Sequence, residues 1–181
     1  MVIDLDPEAG DVGAARGATQ VVGELIASFD LQGFPLATGS KGFHVWVPLA
    51  DGTGFDDVST TSRALAGLAV LAEPDQLTTE FLKKNRGGRV FVDWLRNGPT
   101  ATVVVPFSLR PRGGAPVAVP LRWDELTDAE PDGWHLGGID DRLRVRTDLP
   151  PQSLPVDAIV SAARNAGVDL DTPHDRFGRH R

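Results

Sequence analysis

Three aspartates in strand-like settings are the residues of this sequence best suited to bind a metal ion. Asp4 and Asp6 alternate with apolar residues, and side chains two apart in a strand project from the same face of a sheet. Asp93 ends the apolar run at residues 90–92, which predicts a buried strand where an unpaired charge is costly. Neighbouring carboxylates repel each other unless a cation lies between them, and Mg²⁺ prefers such oxygen ligands. The three aspartates predict a site for one or two metals in phosphoryl transfer, although surface aspartates after a strand are also common.

A glycine-rich loop between two predicted strands is typical of an anion-binding site. Residues 38–44 read TGSKGFH and offer backbone N–H groups, two hydroxyls, a lysine and an imidazole. Glycines allow close approach to the backbone, and Lys41 would complete an anion cradle. His44 alternates with the apolar Phe43 and Val45, so it is expected to face away from the apolar side. The spacing is not that of a P-loop, and a tight hairpin with small turn residues is the alternative interpretation.

The charge of the chain is unevenly distributed. The net charge is −7, yet residues 83–112 carry seven Lys or Arg and one acid, which gives +6 there and −13 elsewhere. A basic segment beside acidic residues suits a polyphosphate or nucleic-acid backbone, although a solvated charged edge has the same composition. The sequence has no cysteine, which excludes disulfides and thiolate metal sites. It also contains no long apolar run to span a membrane and no signal-peptide pattern.

Hydrophobic periodicity predicts alternating strands and helices around these residues. The first strand is expected to end at Asp6, and helical spacing then predicts a helix that reaches Phe29 and stops at Gly33. Asp56 or Ser59 is expected to cap a second helix. Further strands are predicted at residues 34–37, 43–48, 89–93 and 101–105, the last two paired, and helices at 77–83, 123–126 and 158–166, with a turn at 85–88 and an irregular stretch at 111–120.

Four motifs follow one another along the chain. They are Asp-Leu-Asp-Pro at 4–7, Thr-Gly-Ser-Lys-Gly-Phe-His at 38–44, Val-Phe-Val-Asp-Trp-Leu-Arg-Asn at 90–97 and Val-Pro-Phe-Ser-Leu-Arg at 105–110. Their order and spacing resemble the archaeo-eukaryotic primase superfamily, and most closely the polymerase domains of bacterial ATP-dependent DNA ligase D. The resemblance implies an α/β (α+β) fold, with a mixed or antiparallel sheet flanked by helices and a metal site on the sheet. It implies a catalytic core at 1–126, with the rest of the same domain at 127–172. The C-terminal residues lack a core-forming pattern, which predicts a mobile tail at 173–181.

The resemblance also assigns roles to individual residues. Those matched to the family's catalytic metal ligands, for Mg²⁺ or Mn²⁺, are Asp4, Asp6 and Asp93. Those matched to its contacts with the incoming nucleotide are Thr38, Ser40, Lys41, His44 and Arg110. The basic segment supplies the expected DNA-binding residues, which are Lys83, Lys84 and Arg86. Thr38 stands where serine is usual in the family, but the hydroxyl is retained.

The implied function is a metal-dependent nucleotidyltransferase that adds nucleotides, preferably ribonucleotides, to DNA 3′ ends in double-strand break repair by non-homologous end joining. Its expected partners are DNA ends or gapped DNA, nucleoside triphosphates, Ku and a DNA ligase domain, in the bacterial cytoplasm at the nucleoid. The alternative is a non-catalytic, truncated module that binds DNA ends or a repair partner. In the family a substantial segment precedes the first aspartate pair, whereas Asp4 is almost the first residue here. We therefore expect this chain alone to extend primers poorly. A hydrolase is not supported, because no HExxH or Ser/His/Asp arrangement is present.

Overall fold

The computed structural model describes residues 1–8, 10–144 and 149–172, and the predicted tail at 173–181 lies outside them. It contains one six-stranded mixed sheet with helices packed against it, which confirms the predicted class. The strands are β1 (Val2–Asp6), β2 (Phe34–Ala37), β3 (Phe43–Trp46), β4 (Leu77–Thr78), β5 (Val90–Asp93) and β6 (Val119–Pro120). The helices are α1 (Val12–Ala27), α2 (Phe55–Ala72) and α3 (Val156–Asn165), with 3₁₀ helices at Lys83–Asn85, Leu95–Asn97, Trp123–Glu125, Leu136–Gly138 and Arg142–Arg144.

The aspartates of β1 and β5 lie on the sheet face opposite the main core. The strand order is β4-β5-β1-β3-β2-β6, and every pair is antiparallel except β4 with β5. Ile3, Leu5 and Val92 belong to the main core beneath α1 and α2, and α3 packs in turn on α2. Because strand side chains alternate, Asp4 and Asp93 lie on the face opposite this core.

Two of the predicted elements are wrong. Residues 101–105, expected to pair with β5, have no regular secondary structure, because β1 and β4 already occupy both edges of β5. Residues 77–83, expected to be helical, begin with β4, whose parallel pairing with β5 buries Leu77. The predicted irregular stretch at 111–120 ends in a strand, since Val119 pairs with Ala37 of β2.

The helix boundaries differ from prediction at two places. Helix α1 ends at Ala27 rather than reaching Phe29, and Asp30 adopts a φ of 60°, where a right-handed helix cannot continue. Helix α2 is capped by Gly54 instead of Asp56 or Ser59. Asp56 lies in the first turn of α2, where a negative charge interacts favourably with the helix dipole. The strands at residues 2–6 and 34–37 and the helix near 158–166 are confirmed.

The C-terminal half of the chain is attached to the helical layer by arginine contacts. Arg63 of α2 donates to the backbone carbonyls of Leu170 and Asp169, each at 2.9 Å. Arg142 donates to Glu125 at 2.7 Å and so links two 3₁₀ helices beside the second, smaller core. Within the described residues, no helix is both long enough and apolar enough to cross a membrane.

Candidate nucleotide and metal site

The register of three adjacent strands places the predicted polar residues in one row. Asp4 in β1 lies opposite His44 in β3 and opposite Asp93 in β5. Asp6 follows two positions along β1, opposite Phe91 of β5. The alternation read from the sequence therefore holds for Asp4, Asp6 and His44, and strand pairing adds Asp93 to the same face.

Arg96 pairs with both Asp4 and Asp93, two of the three predicted metal ligands. Its Nε lies 3.2 Å from Asp4 Oδ2 and 3.0 Å from Asp93 Oδ2, so two carboxylates share one nitrogen. Arg96 is placed by the 3₁₀ helix Leu95–Asn97, which begins where Asp93 Oδ1 accepts a hydrogen bond from the Leu95 backbone at 2.9 Å. The sequence analysis did not assign a role to Arg96. The sequence feature that could have indicated one is its position three residues after Asp93.

Asn97 fastens this turn to the start of β1. Its side-chain Oδ1 accepts from the Val2 backbone N–H at 2.7 Å, and its Nδ2 donates to the Val2 carbonyl at 2.6 Å. The Asn97 side chain thus pairs with the backbone of Val2 in β1 as the backbone of a neighbouring strand would. The turn that carries Arg96 is consequently held at a fixed distance from Asp4.

The two bridged aspartates have pKa values shifted in opposite directions. Burial raises the pKa of Asp93, an effect only partly offset by the charge of Arg96. Burial also acts to raise the pKa of Asp4, but the hydrogen bond and charge of His44, together with Arg96, outweigh it and lower that pKa. Trp46 Nε1 donates to His44 Nδ1 at 3.4 Å, which leaves His44 Nε2 to face Asp4 Oδ1 at 3.5 Å. Asp4 is therefore the carboxylate that the site most strongly favours as an anion.

Asp6 is paired with a different arginine, which the sequence analysis had assigned to DNA. Arg86 Nη1 lies 3.0 Å from Asp6 Oδ2, and the same guanidinium donates to the carbonyls of Glu80 and Phe81 and stacks on Phe91. The Arg86 side chain is 6% exposed. A direct DNA contact by Arg86 does not fit this arrangement, because its donors are directed inward.

Two of the three carboxylates have the donor arrangement that suits a divalent metal. Among the described residues, no group of three or more His, Asp or Glu is arranged to hold a metal as it stands. However, oxygens of Asp4 and Asp93 already converge on one cationic atom, Nε of Arg96. A pair of carboxylate oxygens around one cation is the donor chemistry that Mg²⁺ and Mn²⁺ prefer. These two residues therefore fit such a metal, whereas Asp6, two positions after Asp4 on β1, is paired with Arg86.

The glycine-rich loop packs directly against β1 and against Arg110. Thr38 Oγ1 closes it by donating to the Gly42 carbonyl at 2.7 Å. A Cβ on Gly42 would lie 2.0 Å from the Leu5 carbonyl oxygen of β1. Gly39 has a φ of +67°, and a Cβ there would lie 2.6 Å from Arg110 Cγ. Both glycines are required by close packing, so the loop is more than a permissive turn.

One cavity of about 620 Å³ is lined by the glycine-rich loop, Arg110, Asp4 and Asp6. All five residues predicted to contact nucleotide are on its wall: Thr38, Ser40, Lys41, His44 and Arg110. The Nε of Arg110 is buried there and has no hydrogen-bond partner among the residues that the structure describes. The structure thus brings the predicted nucleotide-binding residues together beside Asp4 and Asp6, while their role remains a prediction.

A second cavity of about 800 Å³ meets the first at Arg96. Asp93 and Trp94 line this second cavity, together with Thr60 of α2 and Leu170. Arg96 lines both cavities, so it stands at their boundary. The row of carboxylates is accordingly reached from two sides.

The basic segment at 83–112 is divided between inward pairs and the first cavity. Arg86 and Arg96 pair with aspartates, whereas Lys83, Arg110 and Arg112 line the cavity. Lys83 and Lys84 themselves are exposed. The segment therefore does not form one continuous surface stripe, and about half of its positive charge faces the nucleotide cavity or its mouth.

The fold of the chain is that of a primase-polymerase domain. The chain belongs to the LigD primase-polymerase family, since the family model described as "LigD, primase-polymerase domain" matches residues 1–165. The multifunctional non-homologous end joining protein LigD of Mycolicibacterium smegmatis is 36% identical over 150 residues, which cover 82% of this chain and 20% of that protein. The corresponding LigD of Pseudomonas aeruginosa is 34% identical over 144 residues, or 78% of this chain and 17% of that protein.

The fold is shared with a solved member of the family. The polymerase domain from Mycobacterium tuberculosis ligase D, in complex with DNA, matches with a TM-score of 0.67 and 30% identity. The match covers 94% of this chain and 52% of that chain. The present chain thus spans about half of that solved chain and about a fifth of the curated relatives.

Proposed function

We propose that this chain is the catalytic part of a metal-dependent nucleotidyltransferase that adds nucleotides, preferably ribonucleotides, to DNA 3′ ends. The observation that carries the proposal is one cavity whose wall holds Asp4 and Asp6 together with Lys41 and Arg110. Phosphoryl transfer needs metal ligands and triphosphate ligands in one site. Membership of the LigD primase-polymerase family supports the same reaction.

The positive side of the cavity would bind the triphosphate. Arg110 carries a buried Nε that no described residue satisfies, and a phosphate oxygen is the acceptor that suits a guanidinium best. Lys41 is exposed at the tip of the loop and lines the same cavity. Ser40 adds a hydroxyl, while Thr38 uses its own to close the loop. Positioning and charge neutralisation by these groups would be the larger part of catalysis.

The negative side would hold the metal and direct the attacking strand. Asp4 and Asp93 would ligate Mg²⁺ or Mn²⁺ with Asp6, and the bound ion would lower the pKa of the 3′-hydroxyl and neutralise phosphate charge. Asp93 lines the second cavity, so the 3′ end would approach from that side while the triphosphate lies in the first. Approach from opposite sides is what in-line displacement requires.

The substrate and partners that we propose rest on the names of the relatives. Those proteins are named as non-homologous end joining LigD proteins, and the solved neighbour is a polymerase domain in complex with DNA. We propose that the present chain acts on DNA ends or gaps at the bacterial nucleoid, with Ku and a ligase domain as partners. The exposed Lys83 and Lys84 would contact the DNA backbone.

A non-catalytic DNA-end-binding module is the second candidate. The observation that favours it is that arginines neutralise all three aspartates, with Arg86 on Asp6 and Arg96 on the other two. Such a module would bind DNA and leave the 3′ end unchanged.

The two candidates differ in a primer-extension assay on labelled gapped DNA with ribonucleotides and Mn²⁺. We expect the wild-type chain to add nucleotides at a low but measurable rate and Asp93→Asn to lose extension while it still binds DNA. Asp75→Asn is the matched control, because Asp75 is an exposed aspartate outside both cavities. Extension by Asp93→Asn at the wild-type rate would contradict the metal site, and DNA binding without extension by the wild type would favour the second candidate.

A further inference from the structure

We propose that Arg96 is an internal cation that holds Asp4 and Asp93 together without metal and that a divalent ion must displace it. The inference rests on the proposed function, because it concerns the same metal site. In this inference Arg96, a residue of the chain itself, competes with the metal ion for the two carboxylates. The metal affinity of the chain would then be set by the exchange of one cation for another, and not by the carboxylates alone.

The geometry of Arg96 is that of a substitute for a metal ion. One nitrogen lies 3.2 Å from an Asp4 oxygen and 3.0 Å from an Asp93 oxygen. The Asp93 side chain is 6% exposed, so its charge would be costly if nothing positive faced it. An ion that binds these same two oxygens cannot do so while the guanidinium remains between them. Metal binding and the Arg96 contacts are therefore mutually exclusive.

Arg96 is also free to leave. Its side chain is 41% exposed and stands at the boundary of the two cavities, either of which can accept the displaced guanidinium. Among the described residues, the two carboxylates are the only hydrogen-bond or ion-pair partners of its guanidinium. Arg86 shows the opposite arrangement, since its buried guanidinium is also held by Glu80 and Phe81 carbonyls. Of the two arginines on this face, Arg96 is thus the one that can move.

The direct test is Mn²⁺ binding without nucleotide, measured from the electron paramagnetic resonance signal of free Mn²⁺. We expect Arg96→Gln to bind Mn²⁺ about tenfold more tightly than the wild type, since about 1.4 kcal/mol of competition would be removed. Arg96→Lys keeps the competing charge and should stay near the wild type. Lys83→Gln removes a positive charge from the wall of the same cavity and measures the through-space effect, which we expect to be about twofold or less.

A second measurement follows Arg96 in the wild-type protein itself, and uses a variant only to assign the signal. In ¹⁵N-labelled wild-type protein, the Nε–Hε signal of Arg96, assigned by its absence in Arg96→Lys, should lose protection from exchange with water as Mg²⁺ is added. Unchanged protection at saturating Mg²⁺ would overturn the inference.

The outcomes also separate this inference from the proposed function. Equal or weaker Mn²⁺ binding by Arg96→Gln, with binding by the wild type intact, would overturn the displacement of Arg96 and leave the metal site standing. An equal gain in Lys83→Gln would overturn it as well, because the effect would then be general charge. If neither the wild type nor Arg96→Gln bound Mn²⁺, the metal site itself would be wrong.

Discussion

Substitution of Gly42 by alanine should disturb the site through the backbone of β1. The new Cβ would lie 2.0 Å from the Leu5 carbonyl oxygen and 3.1 Å from Cδ of Pro7, so strand or loop must shift. Leu5 lies between Asp4 and Asp6, and the shift would therefore move both carboxylates relative to the loop. Overpacking of this kind costs about 1–3 kcal/mol. In a chain of this size each kcal/mol lowers the unfolding temperature by about 2–4 °C, so Gly42→Ala should melt about 2–12 °C below the wild type.

The assay is thermal unfolding followed by circular dichroism, together with nucleotide binding in the presence of Mn²⁺. A displacement of about 1 Å between binding groups can reduce rates by about a hundredfold, so nucleotide affinity and extension should fall even where the protein remains folded. Gly17→Ala is the matched control. Gly17 is exposed in α1 with nothing within 4 Å of its Cβ position, and alanine should stabilise the helix by about 0.5–1 kcal/mol. If Gly42→Ala melts at or above the wild-type temperature, the close packing of loop on strand is wrong.

Three further predictions concern charge. Lys41→Ala should raise the KM for all four nucleotides alike, by about 1.5–3 kcal/mol of binding free energy, and a base-dependent change in steady-state kinetics would contradict its triphosphate role. Replacing Lys83 and Lys84 together should flatten the plot of log K for DNA against log salt by up to about two contacts, and an unchanged slope would show that they only solvate the surface. Burial acts to raise the pKa of Glu125, but the Arg142 hydrogen bond and nearby charges lower it on balance. The stability that Glu125 contributes is thus present above its ordinary pKa of 4.5 and lost as the pH falls through the lowered value. In denaturation series from pH 7 to 3, the gap between wild type and Glu125→Gln should shrink below pH 4.5, and a constant gap would contradict this.

Side-chain alternation and loop chemistry were sufficient to predict much of the site. The period of two along β1 places Asp4 and Asp6 on one face of the sheet. The same alternation along β3 places His44 on that face, opposite Asp4. The TGSKG segment predicted an anion loop, and its two glycines prove necessary for contact with β1 and Arg110. These features depend on local sequence, which is why local patterns were enough.

The features that the sequence did not reveal depend on which strands are neighbours. Arg96 reaches Asp4 because β5 lies beside β1, and no local pattern specifies that pairing. The strand expected at 101–105 has suitable residues, but β4 takes the edge of β5 that it would need. Arg86 was predicted to be a surface cation, but its guanidinium stacks on the ring of Phe91 and donates to two backbone carbonyls. Tertiary packing overrides local propensity in each case.

The central claim is that a metal ion bound by Asp4 and Asp93 lies beside a triphosphate in the first cavity. It is tested most directly by the anomalous scattering of Mn²⁺ in crystals of the wild-type chain grown with a non-hydrolysable ribonucleoside triphosphate. We predict a Mn²⁺ peak in contact with Asp4 and Asp93, and phosphate density against Lys41 and Arg110. A Mn²⁺ peak away from these carboxylates, or a triphosphate bound outside the cavity, would contradict the account.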